Sequence, residues 1–421
     1  MVTGSGERRF HDQISWLMFL FSIFVIWVHS YNVDLFSGGA QDGIWSLADR
    51  IENFVSVGLG QIAVPGFFLL SSYLFFRNFS WDKLVGKWKS RVFSVLIPYV
   101  VWNLIYYLGY MAASRFLAIR SVVGRDIIPF SVQEIWRAVS QYAYAPIFWY
   151  LYQLIFLIIV SPMIYALVKN RAVGLFWIVG LVFAVHLHLD MRHPNTDALL
   201  YYSVAAYFAV HRRGLVERSM EEEAAGWNAD HGTKEKKAAP EDKDGNTAGV
   251  IPAHVRRRCF AEGLAGVMIS VFCYRRMMAP EAAVLWTCFY RMAVPMTCWA
   301  FACGVRLPKI RPWMRQSMFL YAIHFIVVRF VNKGTAVVTR SLAGTTTAAG
   351  ISLVVYFLLP AIAVIASYIL AKFLVRFLPG VWRVLSGGEN WKDRGNKNCR
   401  KSVTVCVPHE QQHVKFKRSF L

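Results

Sequence analysis

The stretch RRFHDQISWLMFLFSIFVIWVHS, Arg8 to Ser30, decides the fold class. Two arginines are followed by a segment, 14–31, without a single charged side chain. A helix needs about 20 mainly apolar residues to cross roughly 30 Å of hydrocarbon, so this segment reads as a membrane span. A cleavable signal peptide is the other reading of a basic start and an apolar run. No small-residue cleavage site of the A-x-A type follows, so the segment is expected to remain as an uncleaved first span.

The same pattern recurs along the chain. Further apolar segments lie near 57–76, 92–113, 147–168, 172–189, 197–211, 259–274, 282–303, 317–331 and 349–371. The composition agrees, at 56% hydrophobic and 17% charged residues over 421 positions. The expected fold is therefore all-α, a polytopic integral membrane protein of about ten transmembrane helices.

The formal net charge of +21 would point to nucleic acid in a soluble protein. Here the charges lie between apolar segments, and no nucleic-acid-binding module or aromatic-interleaved basic face occurs, so no nucleic-acid partner is expected. Positive charge between spans marks the cytoplasmic side. With the N-terminus inside, the segment from Arg77 to Arg91 is cytoplasmic and holds Arg77, Lys83, Lys87, Lys89 and Arg91 against Asp82. Lys169 and Arg171 fall inside, as do Arg306, Lys309, Arg311 and Arg315. The C-terminus follows, with eleven Lys or Arg from Lys372 to Arg418 against three acids. The external stretch 114–146 departs from the rule, carrying Arg115, Arg120, Arg125 and Arg137.

Residues 212–258 form the one long hydrophilic insertion, with ten basic and nine acidic residues. It reads as a cytoplasmic charged linker within a domain spanning 1–390, followed by a basic cytoplasmic tail, 391–421. Seven cysteines imply no disulfide framework, five of them (Cys259, Cys273, Cys288, Cys298, Cys303) lying in or beside apolar helices. Cys399, Cys406, His409 and His413 have a gap too long for the usual zinc spacing. His186, His188, Asp190 and His193 cluster at the end of the fifth span, but residues two apart do not share a helix face. No bound metal is expected.

Ionisable groups inside hydrocarbon are costly, so each is a candidate for function. His29 lies about 22 Å along the helix from Ile14 at 1.5 Å per residue, past the midplane toward the outer side. A neutral imidazole there can take a proton from a hydroxyl, or it can simply bond to headgroups. Arg291 lies near the middle of the eighth span and Glu262 near the inner end of the seventh. Asn103 lies within the third span and His324 within the ninth. Trp149 and Tyr150 open the fourth span from the outer side, placed either to stack on a sugar ring or to join the interfacial aromatic belt.

Several blocks, taken in order, resemble the acyltransferase-3 family of bacterial envelope acyltransferases. They are the first span ending in VHS, then VPGFFLLSSYLFF, KWKSRVFSVLIPYVVWNLIYYL, PIFWYLYQL with SPMIY, FLYAIHF, FLLPAIA and LSGGEN, over residues 8–390. The resemblance implies transfer of an acyl group, often acetyl, from cytoplasmic acyl-CoA to a hydroxyl of an envelope sugar, glycan or lipid, at the bacterial inner membrane. It places the active-site histidine on His29 and donor binding on Lys87 and Arg91. Lys89 joins them as a grip for the donor phosphates, and Trp149, Tyr150 and Asn103 are the acceptor-binding candidates. Besides acyl-CoA and acceptor, the surrounding membrane lipid is the remaining expected partner, and no cofactor is expected to stay bound.

The chain departs from the family pattern at four positions. Met18 stands where many members carry arginine, Ser72 replaces the glycine of S-G-[YF]-L, Tyr152 replaces a frequent arginine, and Glu389 ends a motif usually closed by arginine. Arg291 is the expected compensating cation for Met18. A small-molecule or lipid transporter and a non-catalytic family member are the alternative readings.

Overall fold

The computed structural model describes residues 4–41, 43–116, 126–217, 251–279 and 283–388. Among these residues the chain is helical, with no strand. Helix α1 spans Gly4–Ser30 and the short α2 spans Val33–Phe36. Helix α3, Ile44–Asn53, continues through a π turn at Phe54–Leu59 and a 3-10 turn at Gly60–Ile62 into α4, Ala63–Phe76. Likewise α5, Leu84–Arg91, runs through a π turn at Val92–Leu96 into α6, Ile97–Ala113. Next come α7 (Val132–Ser140), α8 (Trp149–Ile159), α9 (Ser161–Val168), α10 (Arg171–His186), α11 (Thr196–His211) and α12 (Arg213–Val216). The last part holds α13 (Ala253–Met277), α14 (Ala283–Gly304), α15 (Ser317–Val338), α16 (Thr346–Phe377) and α17 (Pro379–Leu385).

Helix covers each of the ten expected positions, but fewer segments are both long and apolar enough to cross a membrane. Among the described residues there are five: Gly6–Phe36, Ile44–Phe76, Trp81–Ala113, Ser317–Val338 and Thr346–Phe377. A sixth arises if Pro146–Ile159 and Ser161–Val168, bent by 60° at their junction, count as one. Pro162 explains the bend, since it has no N–H and its ring clashes with the preceding turn. Arg171–His186 is apolar but shorter, and α13 is diluted by Arg256, Arg257, Arg258, Arg275 and Arg276. Outward-facing apolar side chains such as Phe176, 81% exposed, and Ile369, 63% exposed, would be anomalous against water and are ordinary against lipid. The protein is a multi-pass membrane protein.

Local sequence sets the helix ends. Ser131 caps α7 by accepting from the Glu134 N–H at 3.2 Å, the first half of a capping box. Asn170 caps α10 through the Ala172 and Val173 amides, and Thr345 caps α16 through Ala348. Inside α1 the hydroxyls of Ser22 and Ser30 donate to the carbonyls of Met18 and Ile26, so neither is left unsatisfied among apolar neighbours.

Helix α1 is central and touches α4, α14, α15 and α16. Small residues allow this, because close backbone approach is what packs helices in lipid. A Cβ added at Gly66 of α4 would lie 2.4 Å from Cε2 of the buried Phe21 ring of α1. One added at Gly60 would lie 2.5 Å from Cγ2 of Val28. Helices α13 and α14 mesh similarly, Gly263 against Phe301 and Gly266 against Thr297.

At the opposite end of α1 from His29, Arg77 joins three elements. Its Nε and Nη2 donate to the Glu217 carboxylate at 2.6 and 2.9 Å, and its Nη1 and Nη2 donate to Glu7 at 2.5 and 2.7 Å. Its guanidinium also lies over the Phe10 ring, 4.2 Å from the centroid. Burial by itself would weaken the charge, but the hydrogen bonds to Glu7 and Glu217 outweigh it and raise the Arg77 pKa above the ordinary arginine value. Glu217 further accepts from Tyr73 and Arg213. The ends of the 212–258 segment are therefore folded rather than linker: residues 213–217 close against α4, and α13 begins at Ala253. The rest of that insertion, and the tail 391–421 with Cys399, Cys406, His409 and His413, lie outside the described residues.

Candidate active site

His29 occupies the last turn of α1, half-buried, facing α15. Its ring lies 5.4 Å from that of His324, tilted by 38°, and the same distance from Phe325 in an edge contact. His324 is completely buried. Its Nδ1 lies 2.6 Å from the Tyr321 carbonyl oxygen. A carbonyl can only accept, so Nδ1 carries the proton, and the lone pair is left on Nε2. That Nε2 is buried and has no hydrogen-bond partner among the described residues. Two imidazoles are thus neighbours between α1 and α15, one fully buried with its tautomer set and the other partly exposed.

From this pair a line of side chains leads to α5. Tyr321 lies 5.9 Å from the His324 ring and 5.9 Å from Tyr150. The Tyr150 ring packs on Phe67 and Phe68 of α4, with its hydroxyl 3.4 Å from Ser71 Oγ. Arg91 lies near Tyr150 and Tyr202, and among the described residues the buried Tyr202 hydroxyl has no hydrogen-bond partner. Among the described residues Arg91 itself has no carboxylate partner. A cation reaching into an aromatic interior without an anion is suited to an anionic ligand.

The expected donor residues separate here. They stand on a helix that begins before residue 92, so the expected cytoplasmic segment is largely part of the third helical segment. Lys87 and Arg91 are four apart and share a face, whereas Lys89 turns away and is exposed. Lys87 is not free, because its Nζ donates to the Phe75 carbonyl at the end of α4, at 2.6 Å. Arg91 alone of the three lies near Tyr150 and Tyr202.

The acceptor candidates separate as well. Tyr150 is buried in the line just described. Trp149 instead lines an open polar cleft of ≈ 1030 Å³ with Tyr142, Tyr152, Gln153, Asp190 and Arg192. Asn103 is buried in α6, its Nδ2 donating to the Tyr99 carbonyl at 2.8 Å and its Oδ1 without a partner among the described residues.

Arg291 is not with His29. It bonds to Gln61 and its charge reaches Asp197. Arg329 bonds to the Tyr110 hydroxyl at 3.0 Å and lies 4.6 Å over the Phe325 ring, the ring in edge contact with His29. Glu262 pairs with Arg258 four residues earlier, at 3.2 Å, and not with Arg291. No group of three or more potential metal ligands occurs among the described residues.

Residues 11–372, nearly the whole folded part, match the family model for the acyltransferase-3 acyltransferase domain. The chain belongs to the acyltransferase-3 family. Comparisons with curated proteins and with solved structures gave no match. Membership and fold together make it a membrane protein of an acyltransferase family.

Two departures from the acyltransferase-3 pattern acquire a physical reading. Ser72 Oγ donates to the Tyr202 carbonyl at 2.5 Å, so the serine ties α4 to α11 where family members carry glycine. Tyr152 faces the polar cleft, with its ring 5.0 Å from His193 and 5.4 Å from Tyr142. Met18 packs half-buried against the main core, and Glu389 lies outside the described residues. Sequence reasoning had singled out His324 without a role and passed over Arg329. Each is visible as an ionisable residue in an apolar run, but only packing shows which of them meets His29.

Proposed function

We propose that this protein is a membrane O-acyltransferase that moves an acyl group, acetyl by preference, from cytoplasmic acyl-CoA to a hydroxyl of an envelope sugar, glycan or lipid. The observation that carries the reading is the half-open His29 set against the sealed His324, in a chain of this family. The neutral imidazole of His29 takes the proton from the acceptor hydroxyl as its oxygen attacks the thioester carbonyl. The new C–O ester bond forms, the C–S bond breaks, and the thiolate leaves with the electron pair and is protonated. A thioester is already activated, so the enzyme supplies chiefly a base, orientation and a grip on donor phosphates. Arg91 serves that grip. In this reading the ten helical positions thread the inner membrane with both termini and the 212–258 insertion cytoplasmic, which sets Arg91 inside and His29 toward the outer face.

The test compares cells lacking the gene with cells carrying wild type or His29→Ala, measuring acetyl groups on envelope glycans and lipids by mass spectrometry. Wild type restores them, while His29→Ala is expected to lower the transfer rate by about 10² to 10⁴ with the protein still inserted. Full modification by His29→Ala would overturn the role of His29. No acyl modification traceable to wild type would overturn the activity and favour the non-catalytic or transport readings.

A further inference from the structure

Directly after His29 the chain enters a buried polar network that the reaction described above does not use. Glu52 on α3 is completely buried and has no cationic partner among the described residues. Its Oε2 accepts from the Asn32 backbone N–H at 2.8 Å, and its Oε1 lies 3.1 Å from the Ser352 hydroxyl of α16. Ser352 Oγ lies closer, 2.6 Å, to Asn32 Oδ1. Asn32 Nδ2 donates to Asn332 Oδ1 on α15 at 3.0 Å, and Asn332 Nδ2 donates to the Ser30 carbonyl at 3.1 Å.

Counting protons assigns the state of this network. A hydroxyl has one proton, and the shorter contact gives that of Ser352 to Asn32 Oδ1. The Glu52–Ser352 contact at 3.1 Å is satisfied in full when Glu52 is a neutral carboxylic acid that donates to Ser352 Oγ. The side-chain relay then runs in a single direction, from Glu52 to Ser352, Ser352 to Asn32, Asn32 to Asn332 and Asn332 to the Ser30 carbonyl, and Asn32 Nδ2 also lies 3.4 Å from the Ser352 carbonyl oxygen. An ionised carboxylate would leave the Ser352 hydroxyl divided between two acceptors and a buried charge without a counter-ion.

The network ends where it matters for the imidazole. The last four carbonyls of a helix lack partners within it, and His29 sits among them. Asn332 takes the carbonyl of Ser30, and Ser56 Oγ donates to that of Trp27 at 2.9 Å. The backbone on both sides of His29 is thereby fixed, and Asn332 stands on the helix that carries His324.

We infer that Glu52, as a neutral acid acting through Ser352, Asn32 and Asn332, is a positioning residue that holds the last turn of α1 and so aims His29 at its reacting partner. The inference rests on the proposed acyl transfer for its kinetic readout. A displacement of about 1 Å at a reacting group costs on the order of a hundredfold in rate.

The test uses the full-length protein in lipid nanodiscs, with acetyl-CoA and membrane extract from the gene-deleted cells as acceptor. Glu52→Ala and Ser352→Ala, which cut the chain at successive links, are each expected to lower kcat about a hundredfold while the acetyl-CoA KM stays within about twofold. Glu52→Gln keeps a carbonyl acceptor and an N–H donor where a neutral acid has its carbonyl and O–H, and is expected to retain kcat within about threefold. In parallel, diethyl pyrocarbonate labelling read by peptide mass spectrometry should show His29 modified several-fold faster in the two alanine variants and at the wild-type rate in Glu52→Gln. Unchanged kcat and labelling in Ser352→Ala would overturn the positioning role, even were Glu52→Ala not to fold. Loss in Glu52→Gln equal to that in Ser352→Ala would overturn the neutral-acid assignment. If wild type itself transfers nothing, the proposed function fails, and the His29 labelling rates still decide the network's role.

Discussion

Replacing Arg77 with alanine should be among the most destabilising single changes in the protein, and the arrangement of its partners sets the size. The Glu7 arm is 43% exposed, so solvent screens it and it contributes about 0.5 kcal/mol. The Glu217 arm is different, with side-chain exposures of 7% and 1%. Breaking a buried pair from one side typically costs about 3–5 kcal/mol, because the remaining charge stays buried. Glu217 retains Arg213 at 3.0 Å and Tyr73 at 2.8 Å, which places the expected cost near the lower end, about 3 kcal/mol. The assay is thermal unfolding in detergent by tryptophan fluorescence, where this loss corresponds to a melting temperature lower by several degrees. Much of the cost is the stranded carboxylate, so adding Glu217→Gln to Arg77→Ala should recover part of it. A melting temperature for Arg77→Ala equal to wild type, or a double variant that loses the sum of the two singles, would refute the reasoning.

Arg91→Glu is expected to raise the acyl-CoA KM at least about tenfold by opposing the donor phosphates, whereas Lys89→Glu, on the exposed side of α5, should leave it within about twofold; equal effects in steady-state kinetics would remove the distinction. Gly66→Ala forces a methyl into the Phe21 ring and should cost about 1–3 kcal/mol in the same unfolding assay; an unshifted transition would show that α1 and α4 can part freely. Arg291→Ala should lose about 1.5–3 kcal/mol of stability with its bond to Gln61 while sparing kcat. Complete loss of transfer in Arg291→Ala with normal stability would instead make that residue the compensating cation for Met18.

The helical, membrane-spanning character is legible in the sequence because it depends on local quantities. An uncharged run such as 14–31 has to satisfy its backbone within itself in lipid, and only a helix or a closed barrel does so. The ordered blocks from VHS to LSGGEN are local too, and they sufficed for the family. His29 is conspicuous for the same reason, as an imidazole at the end of an apolar run.

What sequence reasoning placed less well depends on direction. The start of the third helix before residue 92 sends Lys87 and Arg91 to one face and Lys89 to another, which a loop would not have done. Adjacent positions Trp149 and Tyr150 look alike on paper, yet one lines an open cleft and the other a buried aromatic line, since neighbours on a helix differ by about 100°.

By itself, then, the sequence determined the class, the apolar segments and the single imidazole on which the chemistry is proposed to turn, all of them consequences of composition and short-range order. Only the tertiary structure decided that His29 meets His324, that Arg291 bonds to Gln61, and that Glu52 lies within a hydrogen bond of Asn32 and Ser352. Those partners are about 20 to 320 positions apart along the chain. Their meeting is set by how closely α1, α3, α15 and α16 pack, and no local pattern encodes that distance.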